Sequence, residues 1–444
     1  MNRNNWSQRS DRRHYKELKR KKKSFNSSKI NDFAKNLRAA EEKILDRRRS
    51  SVFNFLEKNK CFQGMKFEET VVFPKKFSFT ENYDESIRLI YQAVFSFEKT
   101  FDNKIILSFV KCKKVELCCL FLLDSLMDDI YQHKRRIFSN FRTSKTPHAD
   151  IVKSKSSEVN KRLCVLDNKL IYEIEASDKS LLPVHKIFFQ GQKNSKSYIE
   201  SRKKKATHNT VAFLNQMLSD FTGYELAPDG INKYEGLISE AIDNAEQHSY
   251  YRGEWYSASY FFEDLEKNSE EGVAEVQLHI FNLGDSIFKS FQREEKQNSK
   301  MINVLDGICS IINKKSSHFE KSNLYTLLAL NQGVSSLHFT DESRGTGTIK
   351  LLDSFFEIGD YEDKGRGLEP LMLIVSGDTM VKIDNKYKHY KSESGKINVS
   401  LNDTQSVYDP PKKSHLQGVK SELIGTLFSI RIYINKTNFL KKIA

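Results

Sequence analysis

Proline and glycine are scarce in this 444-residue chain, at 7 and 19 residues, which excludes collagen-like and proline-rich linker architectures. Long apolar runs are missing too. The longest uncharged one, Leu117–Leu123, is far below the roughly 20 residues of a membrane-spanning helix. The first residues are polar and basic with no apolar stretch, so no secretory signal is expected. Six cysteines form no Cys-x-x-Cys pair, which argues against a zinc framework and for buried, reduced thiols. No Gly-x-x-x-x-Gly-Lys-Ser/Thr loop is present, so a P-loop nucleotide site is excluded. What the chain does have is 31 Phe, 18 Tyr and 38% hydrophobic residues, too much for a wholly disordered chain. The expectation is a soluble, cytoplasmic protein of two to three domains with no membrane span.

Charge is unevenly placed. Residues 1–50 hold 17 Lys/Arg against 6 Asp/Glu, a net +11 of the chain's +14, so the remainder is close to neutral. The densest stretch runs from Arg12 to Lys23. Such an arm can attract nucleic acid or another anionic surface by counterion release, and it can equally be a solvated tail.

Five segments follow from patterning. Residues 1–28 read as a basic flexible arm and 29–64 as a helical segment, with apolar positions at Ile30, Phe33, Leu37, Ile44, Val52 and Phe55. Residues 65–190 read as a small α/β module: strand Phe67–Phe73, helix Tyr83–Phe97, strand Lys104–Val110, helix Glu116–Ile130. Ile105-Ile106-Leu107-Ser108-Phe109, followed by Val115-Glu116 and an apolar helix, resembles STAS-like domains. Residues 191–206, ending in Arg202-Lys203-Lys204-Lys205, read as a basic linker. From 207 to 444 the pattern predicts helices Thr210–Phe221, Lys233–Ser249 and Met301–Asn313 and strand Ala274–Phe281. It also predicts a strand pair, Leu371–Ser376 and Thr379–Asp384, turned at Gly377-Asp378, and a final strand Thr426–Ile434.

The chemistry-bearing residues lie in this last segment. Glu240, Asn244 and His248 are spaced by four, so they form one stripe beside the apolar face of Leu237, Ile238, Ala241, Ile242 and Ala245. A carboxylate there can act as a general base on water, and an amide oxygen is a hard ligand suited to Mg²⁺. An ordinary surface edge held by i,i+4 hydrogen bonds has the same spacing. Farther on stand Asn282-Leu283-Gly284-Asp285-Ser286-Ile287 and Arg344-Gly345-Thr346-Gly347-Thr348. A glycine loop running into a helix presents free N–H groups and a positive dipole end to phosphate, although Gly-x-Gly alone also marks a plain turn.

Taken in order, these pieces resemble the GHKL superfamily of gyrase, the heat-shock chaperone of that group, histidine kinases and MutL. The nearest branch is the bacterial ATP-binding domains related to anti-sigma-factor serine kinases. Glu240 to His248 is similar to the N-box, Glu-x-x-x-Asn-Ala-x-x-His, and Asn282 to Ile287 to the first glycine box. Gly333-Val334-Ser335-Ser336 with Arg344 to Gly347 is similar to the lid and second glycine box, and Gly425-Thr426 to the closing Gly-Thr-x-Phe element.

The resemblance implies a Bergerat-type α/β sandwich over 207–444 that holds ATP and Mg²⁺. Glu240 would be the catalytic carboxylate and Asn244 the Mg²⁺ ligand. Asn282, Gly284 and Thr426 would lie at the base, and Arg344, Gly345, Gly347 and Thr348 at the phosphates. It further implies a regulator that gates its lid and a protein partner, with ATP hydrolysis or serine/threonine phosphorylation as its activities and a homodimer as one assembly. The alternative is a non-catalytic interaction module with a degenerate pocket, binding nucleic acid through the arm.

Two departures stand out. Asn282 replaces the family's Asp, so its amide can donate as well as accept at the base. Ser286 replaces the box's second glycine, which should restrict close backbone approach.

Overall fold

The computed structural model describes residues 49–100, 104–141, 148–166, 184–191, 196–249, 254–263, 272–335 and 347–436, apart from 294, 297, 360, 366, 393 and 394. The basic arm (1–28), the helix read over 30–48, and Arg344 and Gly345 lie outside these residues.

The N-terminal module comprises α1 (Ser51–Lys58), β1 (Thr70–Val72), β2 (Lys76–Phe77), α2 (Phe79–Lys99), β3 (Lys104–Ser108), β4 (Lys114–Val115), α3 (Leu117–Phe141), β5 (His148–Val152) and α4 (Ser157–Leu163). Strands β1, β3 and β5 pair in parallel with β3 central, as expected when a helix separates strands of one sheet. Ser78 caps α2 by accepting the Glu81 N–H at 3.1 Å. The helix buries Ile87, Ile90, Tyr91 and Val94, four of the positions whose spacing predicted it, and leaves the fifth, Phe95, half-buried. In α3 every residue from Leu117 to Leu123 is buried, because the helix has α2 on one side and a second sheet on another.

That second sheet belongs to the following elements: β6 (Val184–Gly191), α5 (Lys196–Thr222), α6 (Pro228–His248), β7 (Trp255–Phe262), β8 (Val273–Asn282), α7 (Ile287–Arg293), α8 (Ser299–Lys315), α9 (Lys321–Leu328), α10 (Gly347–Ile358), β9 (Leu371–Ile383), β10 (Tyr390–Lys391), β11 (Ile397–Asn398) and β12 (Leu416–Asn435). Five strands run in the order β6-β7-β8-β12-β9, antiparallel throughout. The protein is therefore mixed α/β, with one parallel and one antiparallel main sheet. Among the described residues no helix is long and apolar enough to cross a membrane.

Both faces of the antiparallel sheet are covered. Val276, Leu278, Ile280, Phe428, Ile430 and Ile432 join the core formed with α5, α6 and α10. The alternate residues, including Phe281, Leu373, Val375 and Leu427, join the core of the N-terminal module instead. Polar anchors fix the docking. Arg162 on α4 forms a two-point pair with Glu275 at 3.3 and 2.9 Å, and Lys186 on β6 meets Asp124 on α3 at 2.6 Å. Tyr91 on α2 donates to the Glu422 carbonyl and accepts from Ile424 N–H, while the Asp84 carboxylate accepts from Lys420 and Ser421 N–H at 2.8 and 2.7 Å. His279 is fully buried in this interface, with Phe121 and Tyr260 ring centroids each 5.5 Å away. Neither of its ring nitrogens has a hydrogen-bond partner among the described residues, and burial pushes its pKa down to about 3.

Three local expectations change. Residues 196–206, read as a linker, form the first turns of α5: Lys and Arg are good helix formers, and Lys203 pairs with Asp243 and Glu246 on α6. Strand β6, within the segment assigned to the first module, pairs along its whole length with β7. Leu371–Ile383 is one continuous strand, not a pair. Gly377 at φ +62° bends it without reversing it, and β12 shifts register opposite that point.

Candidate functional site

Two groups of residues, each drawn from distant parts of the sequence, lie on the helix-covered side of the antiparallel sheet. The first is at the base of β8 and β12. Asn282, the last residue of β8, stands in register with Thr426 on β12 and with Trp255 on β7. Asn282 is buried to 1% exposure, and its amide nitrogen has no hydrogen-bond partner among the described residues. The Thr426 hydroxyl lies 2.8 Å from Ser376 Oγ, which also accepts the Ile287 N–H at 2.8 Å. Gly425 explains the Gly-Thr pairing: at φ +121° a Cβ there would overlap the Asn282 carbonyl oxygen, so only glycine brings Thr426 this close.

The second group is at the helix ends. Proline starts α6 within its first turn. Glu240 and Asn244 then follow one turn apart on the part of α6 that faces α10 and the sheet. A Cβ on Gly347, the first residue of α10, would overlap the Glu240 carboxylate, so the helix N-terminus and the carboxylate touch. Lys350 Nζ, on the next turn of α10, stands 3.6 Å from Glu240 Oε1. The amide nitrogen of Asn244 is buried, again with no partner among the described residues. Thr348 follows Gly347 in the first turn of α10, where backbone N–H groups have no acceptor in the helix.

Ser249 joins the two groups. Its hydroxyl, just past the end of α6, lies 2.9 Å from the Glu254 carbonyl and 3.0 Å from the Leu283 carbonyl, next to Asn282. Gly284 is buried immediately beyond. His248 ends α6, but its side chain lies outside the described residues, as do Arg344 and Gly345.

The Ser286 departure has a structural resolution. Its Oγ accepts the Lys289 N–H at 3.2 Å and so caps α7. The close approach is made by Gly377 on β9, where an added Cβ would come within 2.8 Å of Ser286 Cβ. Sequence patterning reads Ser249 and Ser376 only as element ends and Gly377 as a hairpin turn, so it assigns none of the three to the site. Ser249 directly follows the N-box-like stretch and could have been found; Ser376 and Gly377 are about 90 residues beyond the box they serve, with no signal linking them.

Chemically, the arrangement places a carboxylate at a helix N-terminus, two buried amide nitrogens without a hydrogen-bond partner among the described residues, and a hydroxyl pair opposite one of them. That set can hold an anionic group with a hard cation at one end and a polar heterocycle at the other. No family model matches this chain, and no curated protein or solved structure matches it.

Proposed function

We propose that the chain is a GHKL-type nucleotide-binding regulator that takes ATP with Mg²⁺ on the helix-covered face of the antiparallel sheet. One observation carries the reading: four sequence pieces that resemble separate boxes of that family converge in pairs, Glu240 on Gly347 and Asn282 opposite Thr426. The sheet order β7-β8-β12-β9, with α6 before it and α10 between β8 and β9, supports reading this half as a Bergerat-type sandwich. Asn244 would supply an amide oxygen to Mg²⁺, the α10 N-terminus would face phosphate, and Asn282 with Thr426 would face the base. Glu240 would orient or deprotonate a water or a protein hydroxyl, so hydrolysis and phosphoryl transfer to a protein remain the two activities of this site. The N-terminal module, which we read as STAS-like, grips β12 just before Gly425 and would transmit the nucleotide state to a partner.

The test is equilibrium binding of ATP and GTP, with and without Mg²⁺, to the full chain and to Asn244→Ala. Magnesium-dependent ATP binding that falls at least about 100-fold in the variant is expected, since a metal ligand and a buried amide are lost together. Absence of binding, or binding unchanged in the variant, would sink the proposal.

Asn282 makes a second outcome checkable. A carboxylate can only accept at the base edge, whereas an amide can pair with the amine of adenine or, turned over, with the carbonyl of guanine. The wild type should therefore discriminate weakly between ATP and GTP. Asn282→Asp should raise the ATP:GTP affinity ratio by about tenfold or more, the cost of facing a carbonyl with an acceptor.

A further inference from the structure

A cavity of about 190 Å³ lies between the N-terminal module and the opposite face of the antiparallel sheet. Thr426 and Arg431 are five residues apart on β12 and sit on opposite faces, so this cavity is separate from the nucleotide site. Its wall includes four cationic side chains, Lys113, Lys114, Arg162 and Arg431, against the two carboxylates Glu116 and Glu158.

Most of these charges already have partners. Arg162 takes Glu158 at 2.9 Å and both oxygens of Glu275. Glu275 also accepts from Gln277, and Lys114 pairs with Glu81. Glu116 accepts the Thr80 N–H at 3.1 Å and the Thr80 hydroxyl. Arg431 is different. Among the described residues no carboxylate lies within ion-pair distance of it, and its Nε is buried without a hydrogen-bond partner. Its one close neighbour of note is the Tyr433 ring, with the guanidinium carbon 5.9 Å from the centroid. Burial opposes the charge of Arg431, and Glu275 and Glu116 act on it only through space, so its planar fork is left without the two-point carboxylate or phosphate partner it matches. Ser429 lines the same cavity from β12 and offers a hydroxyl.

We propose that this cavity is a binding site for a small oxyanion, a free phosphate or a short carboxylate, with the Arg431 guanidinium as its principal ligand and Ser429 and Gln277 beside it. The volume admits one such anion with a few waters and excludes a nucleotide. Because α4, β4 and the sheet all contribute to the wall, the anion would hold the N-terminal module against β12.

The experiment is thermal unfolding and titration calorimetry of the full chain with inorganic phosphate. Acetate and succinate form a second arm, and sodium chloride of equal ionic strength is the control. Phosphate or a carboxylate should raise the unfolding midpoint saturably above the chloride control, and the arm that does so identifies the source. Arg431→Lys keeps the charge but loses the fork and should weaken that binding at least tenfold, while Asn244→Ala should leave it unchanged. Ser429→Ala, which removes a single hydroxyl, should weaken it severalfold and serves if the arginine variant does not fold. No saturable effect of either anion class would overturn the assignment. So would binding that survives both Arg431→Lys and Ser429→Ala, or that disappears in Asn244→Ala.

Discussion

Gly425→Ala is expected to cost about 4 kcal/mol of stability, against about 1 kcal/mol for Gly367→Ala. Both glycines have positive φ, +121° and +69°, so both substitutions force an L-residue into a left-handed backbone. Gly367 has open space around it, and that strain is all it would add. At Gly425 the new methyl would meet the Asn282 carbonyl, a backbone atom held in the β8–β12 ladder that cannot swing aside. Relief requires parting the two strands at the point where Asn282 faces Thr426, so the nucleotide binding we propose should fall with stability. Urea unfolding of the two variants measures the difference. Equal costs would mean that β12 does not approach Asn282 as closely as the geometry has it.

Acid should destabilise the wild type through His279, and His279→Phe should remove that sensitivity. The folded ring titrates at about 3, while in the unfolded chain it titrates near its ordinary 6.5. Between those values the unfolded state binds a proton that the folded state cannot, so stability falls as pH falls. The contribution is intact above pH 6.5 and is lost at up to about 1.4 kcal/mol per pH unit below it, roughly 2 kcal/mol by pH 5. Phenylalanine retains the aromatic contacts with Phe121 and Tyr260 and does not titrate. At pH 7.5 the variant should be at least as stable as wild type, because two buried nitrogens without partners are removed. Denaturation curves of both proteins from pH 7.5 to 5 check this. Parallel pH profiles would show that the ring is hydrated or hydrogen-bonded in solution.

Periodicity made the elements that flank the site legible. The four-residue spacing of Glu240, Asn244 and His248 marked α6, and the alternation from Phe428 to Ile434 marked β12, because one face of each is buried in apolar residues. Gly425 and Gly347 were singled out only as members of a motif; the reason they are glycine depends on Asn282 and Glu240, which no local pattern connects to them. What patterning left open was the cover on the other face of the sheet. Ser429, Arg431 and Tyr433 alternate with isoleucines, and in the fold Ser429 and Arg431 line a cavity with residues of the N-terminal module while Tyr433 is buried. A polar strand face looks the same in sequence whether water or another polar surface covers it. Charge misled at 196–206, where a lysine-rich run was helix surface facing the acids of α6.

The grip of α2 on β12 sets an order on synthesis. Asp84 and Tyr91 find their partners 331 to 337 residues later in the chain. The parallel sheet can form soon after it leaves the ribosome, because its strands are close in sequence. The surface of α2 that belongs against β12 must then wait uncovered until β12 has been translated, tens of seconds later at ordinary elongation rates. A chain ending before residue 416 lacks β12 and so leaves that surface of α2 without its partner, and it should be more readily cleaved by protease there than the full chain.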